Sequence, residues 1–88
     1  MSCGCEYIIT FHTHYEALVC KRTFEKIVDG GSVLSAIKLI PVPRELSSSC
    51  GTALKVEAEN MLEPDFFSNI EKDDVFVLSS DGKYSLFV

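Results

Sequence analysis

A chain of 88 residues can bury one core of modest size, and its 47% apolar and 24% charged residues are those of a globular domain, which excludes disorder. The formal net charge is −5 and the eight Lys and Arg are scattered, so nothing tracks a phosphate backbone and nucleic acid is excluded as a partner. No apolar run approaches the roughly 18 residues of a membrane span, because Lys38 interrupts the longest, Val33 to Val42.

The start of the chain has neither the positive charge nor the apolar stretch of a secretory signal, so a cytoplasmic location is expected, with residues 1–5 a mobile N-terminus. In that compartment the four cysteines read as reduced thiols rather than as a disulfide framework. Glu6 to Phe11 is β-branched and aromatic and predicts strand one. Thr13-His14-Tyr15-Glu16 has the form of a capping box, so a helix starts at once. Ala17, Cys20, Phe24 and Ile27 recur at helical spacing, and Asp29-Gly30-Gly31 ends the segment.

Val33 to Ile40 predicts strand two, and Pro41 and Pro43, which cannot donate ladder hydrogen bonds, predict that pairing fails there and a loop carries Arg44 to Cys50. Leu54, Val56 and Ala58 alternate with Lys55 and Glu57, so Ala53 to Ala58 is strand three. Pro64, Asp65 and the apolar Phe66, Phe67 and Ile70 predict a short second helix ending near Lys72. Val75 to Ser79 is strand four, and Asp81-Gly82 is a two-residue hairpin signal leading into a fifth strand, Tyr84 to Val88. The expected fold over residues 1–88 is a single α+β domain, a ferredoxin-like split βαβ sheet (βαββαβ) with an extra C-terminal hairpin strand. Both helices would cover one face, leaving the other open for a homodimer.

Cys50 lies in Ser47-Ser48-Ser49-Cys50-Gly51, small residues that would leave a sulfur open to solvent among hydroxyl and amide donors. A thiolate is stabilised beside cations, and Arg44 is the candidate for that role. The alternative from context alone is a loop cysteine with no chemistry.

Phe11 to Leu18, FHTHYEAL, together with Lys38 to Leu54, KLIPVPRELSSSCGTAL, resembles the small bacterial selenium or sulfur carrier-like domains. The similarity covers most of the chain and is specific at Pro41, Pro43, Arg44, Ser48, Ser49, Cys50 and Gly51. It implies that Cys50 holds a transferred chalcogen as a persulfide or perselenide, with a donor protein and an acceptor protein as partners and no cofactor.

Cys3 and Cys5 fall outside that pattern. If the loop between strands two and three lies at the same end of the sheet as the start of strand one, either could resolve a Cys50 persulfide by thiol exchange; the other reading is a frayed terminus. The same placement puts His12 and His14 at the far end from Cys50. C-x-C and H-x-H do not match usual zinc spacings, so no metal is assigned. Cys20, on the apolar helix face, reads as core. Glu57, Glu59 and Glu63 read as solvated surface. No nucleophile triad, phosphate-cradling loop or nucleotide fingerprint is present, which argues against a self-contained enzyme. The competing function is a non-catalytic module that docks a protein or small ligand through the PVPRELSSSCG loop, which its prolines would pre-order, or through the open sheet face.

Overall fold

Five strands, β1 (Cys5–Thr10), β2 (Leu34–Pro41), β3 (Thr52–Ala58), β4 (Val75–Leu78) and β5 (Tyr84–Leu86), form one antiparallel sheet in the order β2-β3-β1-β4-β5. A single α-helix, α1 (His14–Asp29), is present among the described residues of this computed structural model, which are 5–30, 34–44, 46, 51–60, 62–68, 70, 72–79 and 81–87. The class is α+β.

The capping box forms, with one variation. Thr13 is extended and its hydroxyl accepts from the Glu16 amide at 3.2 Å, while the Glu16 carboxylate accepts from the amide of His12, not of Thr13. The helix therefore begins immediately after β1. Ala17, Cys20 and Phe24 form its buried stripe and pack on the sheet face that carries Tyr7, Ile9, Leu54, Val56 and Val75. Each of these large side chains removed from water contributes about 1.5–3 kcal/mol, so this single helix–sheet layer is the main stabilising interface.

The expected second helix is replaced by one turn of 3-10 helix, Pro64–Phe67. Phe66 and Phe67 are adjacent yet both pack into the aromatic core around Phe24, which a one-turn segment permits. Ser68 then turns its hydroxyl back onto the Asp65 carbonyl at 2.8 Å, a local bond that competes with helix propagation. So short a segment also lacks the length to offset helix nucleation. The crossover is held instead by the Leu62 amide, which donates to the phenol oxygen of fully buried Tyr7 at 2.8 Å, and by Tyr7 packing on Phe67 and Phe87.

Two smaller expectations are corrected. Pairing does not fail at Pro41, which faces Thr52 as the last pair of β2 with β3. β2 is an edge strand, so the missing proline N–H can lie on the unpaired side. The β4–β5 connection spans residues 80–82, because the Ser79 amide donates to the Lys83 carbonyl at 2.8 Å. Gly82 takes φ +84° there, the left-handed step of a three-residue hairpin rather than a two-residue one.

β1 and β2 are both antiparallel to β3 and so run in the same direction. The end of β1, the start of α1 and the connection from β2 to β3 consequently share one end of the sheet. Fully buried Thr10 fixes that end: its amide donates to the Asp74 carbonyl at 2.9 Å, and its hydroxyl accepts from the Asp74 amide at 3.1 Å.

Candidate functional site

The cysteine-bearing connection is mounted on the hairpin of β2 and β3. Beyond the Pro41–Thr52 pair the ladder gains one more bond, from the Val42 amide to the Gly51 carbonyl at 3.2 Å, so both ends of the segment are tied together. The Leu46 amide then donates to the Pro43 carbonyl at 3.0 Å, closing a turn on which Arg44 is exposed. Gly51 leaves the segment at φ +72°, a backbone state that costs a side-chain-bearing residue about 1–2 kcal/mol. A Cβ built there would meet nothing within 4 Å, so glycine is needed for its conformation and not for space. Ser47, Ser48, Ser49 and Cys50 lie outside the described residues, as does Cys3.

The placement expected for Cys5 is reversed. Cys5 is the first residue of β1 and faces Ala58, the last residue of β3, whereas the connection joins β3 at Thr52. Six steps of strand at about 3.3 Å each separate the two ends by about 20 Å. The topological ground for Cys5 as a resolving thiol is therefore lost. The physical reason is the run of the chain: a strand, a returning helix and a second strand bring the ends of β1 and β2 together.

The same reversal brings the histidines to the site end. His14 is the first residue of α1, and its Nδ1 lies 3.4 Å from the hydroxyl oxygen of Thr52, the first residue of β3. His12 turns the other way, its Nε2 lying 3.8 Å from an Asp73 carboxylate oxygen just before β4. Thr52 had drawn no notice in the sequence, although its place next to Gly51 and the order of strand, helix and hairpin were enough to bring it to the start of α1. Cys5 and the two histidines occupy opposite ends of β1, so they do not converge on a shared ion.

Cys20 lies in the core, 2% exposed, and burial pushes its thiol up to about 12, with Lys72 opposing in part. It is a packing residue, not a nucleophile at neutral pH. A cavity of about 340 Å³ opens beside it, walled by Tyr15, Val19 and Ile70, on the outer flank of α1. On the sheet face away from α1, Lys55 lies 3.7 Å from Glu6 and 3.5 Å from Glu57. Partly exposed pairs of this kind are worth at most about 1 kcal/mol each, so Glu57 is accounted for as surface. No helix among the described residues is long and apolar enough to cross a membrane.

Comparison with known proteins returns one family. Neither the curated proteins nor the solved structures contain a match to the chain. The model of the family described as "Putative Se/S carrier protein-like" matches residues 6–64. That span takes in β1, α1, the β2–β3 hairpin and the whole Pro41 to Gly51 segment, and stops before β4. With two thirds of its length covered, including the end of the sheet where His14 meets Thr52, the chain belongs to this selenium or sulfur carrier-like family.

Proposed function

We propose that the protein carries sulfur or selenium between a donor protein and an acceptor protein, with Cys50 as the residue that holds the atom. The observation that carries the reading is the family match across the entire PVPRELSSSCG segment. The hairpin supports it: the described residues on either side of the cysteine are joined by the bond from the Val42 amide to the Gly51 carbonyl, and Gly51 takes the left-handed conformation at the entry to β3. Arg44 would favour the thiolate, and the Ser48 and Ser49 hydroxyls would donate to the bound chalcogen. We read the scaffold as a split βαβ sheet whose second helix is reduced to one turn, working in the reducing cytoplasm without a cofactor.

In the loading step the Cys50 thiolate attacks the outer sulfur of a donor persulfide. A Cys50 Sγ–S bond forms, the donor S–S bond breaks, and the donor cysteine leaves as a thiolate; selenium transfer follows the same balance. Unloading is the same exchange with the acceptor thiolate as nucleophile. The test is incubation with a cysteine desulfurase and cysteine, followed by intact-mass spectrometry. A reducible adduct is expected on the wild type and on Cys20→Ser and absent from Cys50→Ser; an adduct that persists in Cys50→Ser rejects the assignment.

A further inference from the structure

We infer that the protein pairs with a second copy of itself through the sheet face opposite α1, about a two-fold axis that crosses the strands, with the lysine row of each copy laid over the glutamate row of the other. The inference stands apart from the carrier reading, and either can fail alone. α1 and the turn Pro64–Phe67 both pack on the face that carries Tyr7, Ile9, Leu54 and Val56, so no helix among the described residues covers the other face. The alternation of the strands and their register lay that second face out in rows. One row runs Lys38, Lys55, Ile8, Phe76 and Leu86 from β2 to β5, and the next runs Glu57, Glu6, Leu78 and Tyr84 from β3 to β5.

Both rows are unfavourable in a chain on its own. Lys38 stands directly opposite Lys55, and Glu6 directly opposite Glu57, and like charges so placed are destabilising. Lys55 reaches Glu6 at 3.7 Å and Glu57 at 3.5 Å, whereas Lys38 is exposed and makes no ion pair among the described residues. Positive charge is thus gathered in one row and negative charge in the next. The half of the face toward β5 is apolar: Ile8 is buried, Phe76, Leu78 and Tyr84 are half-buried, and Leu86 is 64% exposed.

Two kinds of two-fold axis stack such a face on itself, and only one matches the pattern. An axis along the strands lays the charged half of one copy on the apolar half of the other. An axis across the strands, passing between the two rows, keeps each strand over its own counterpart and exchanges the rows. Lys55 then meets the partner's Glu57, Phe76 meets the partner's Leu78, and Leu86 meets the partner's Tyr84, so charge faces opposite charge and hydrocarbon faces hydrocarbon in one self-complementary contact. Sheets stacked face to face lie about 10 Å apart with their strands within about 30° of each other, a spacing that side chains of this size fill from both sides. The Pro41–Thr52 ends of the two hairpins point to opposite ends of the pair, so the site ends of the two copies stand apart.

The experiment is sedimentation velocity of the full chain from micromolar to millimolar concentration, with thermal unfolding of each variant at the dilute end. The wild type is expected to pass from one chain to two. Leu86→Asp, at an exposed position, is expected to raise the dissociation constant about tenfold or more, since the symmetry counts each substitution twice. Lys38→Glu separates association from folding. It relieves the repulsion with Lys55 inside one chain, so the dilute protein unfolds at the wild-type temperature or above, yet it weakens association about tenfold by setting negative charge over the glutamate row. Tyr15→Asp, on the exposed flank of α1, leaves association unchanged. A wild type that stays a single chain at every concentration overturns the inference, and so does a pair that either Leu86→Asp or Lys38→Glu leaves as tight as the wild type, or that Tyr15→Asp dissolves. Amide exchange tests the remaining arrangement: slower exchange of the outward amides of β2 or β5 on association places the contact at a sheet edge and overturns the stacking of faces.

Discussion

Replacing Tyr7 with Phe removes a single oxygen from the centre of the molecule and tests how the crossover between β3 and β4 is held. The ring keeps its contacts with Phe67, 5.5 Å between centroids, and with Phe87 at 5.1 Å, so packing changes little. What disappears is the acceptor for the Leu62 amide, and both residues are buried, Tyr7 fully and Leu62 to within 6% exposure. An N–H left unpaired in such a place costs about 1–3 kcal/mol. The whole stability of an 88-residue domain is roughly 4–13 kcal/mol, so the loss is large. At about 4–8 °C per kcal/mol for a domain of this size, the midpoint of thermal unfolding should fall by about 5–20 °C, read by circular dichroism alongside urea unfolding.

The same residue carries a pH signature. Burial raises the Tyr7 pKa above the ordinary 10.0, the Leu62 N–H offsetting part of the rise. The folded state therefore favours the neutral phenol, and this contribution is complete below pH 10 and lost as pH rises through the folded value. Tyr7→Phe should lose stability at neutral pH yet decline less steeply than the wild type above pH 10. A variant within about 0.5 kcal/mol of the wild type, the range of an ordinary surface substitution, would refute the account of the crossover.

Cys20 yields a second alkaline effect: its thiol rises from 9.0 to about 12 on burial, so the wild type should lose about 1.4 kcal/mol per pH unit from pH 9 toward 12. Cys20→Ala should remove that slope, and an unchanged slope would show that the thiol ionises freely in the folded state. At the exit of the connection, Gly51→Ala should cost about 1–2 kcal/mol because φ is +72° there. Gly51→Asn should cost less, since Asn tolerates the left-handed region; equal stability of Ala and Gly would mean that the backbone relaxes on substitution.

What could be read from the sequence was whatever depends on local pattern. The Thr13–Glu16 capping box, the Ala17-Cys20-Phe24 stripe and the alternation of Leu54, Val56 and Ala58 each announce themselves through spacing that one element alone imposes. The second helix failed because Phe66 and Phe67 fit an amphipathic face equally well for one turn or three, and the choice is made by Ser68 and by the distant Tyr7 phenol. Pro41 in the ladder turned on whether β2 is an edge strand, a property of the sheet and not of the residue.

The chemistry divided in the same manner. The Pro41 to Gly51 segment stood out by composition, and the family match includes it. The surroundings of the segment required direction as well as order: Cys5 and His14 exchange their expected ends once β1 is set antiparallel to β3. Thr52 carried no signal of its own, because a threonine beside a glycine is ordinary until the first residue of a helix is found against it.

Cyanolysis of the protein after loading from a cysteine desulfurase puts the central claim to its most direct test, since cyanide releases only sulfur held at the outer position of a persulfide. The wild type should liberate thiocyanate in stoichiometric amount with the chain, and Cys50→Ser should liberate none while keeping the wild-type fold. Thiocyanate in equal yield from both, or none from a folded wild type, would contradict the assignment of Cys50 as the carrier.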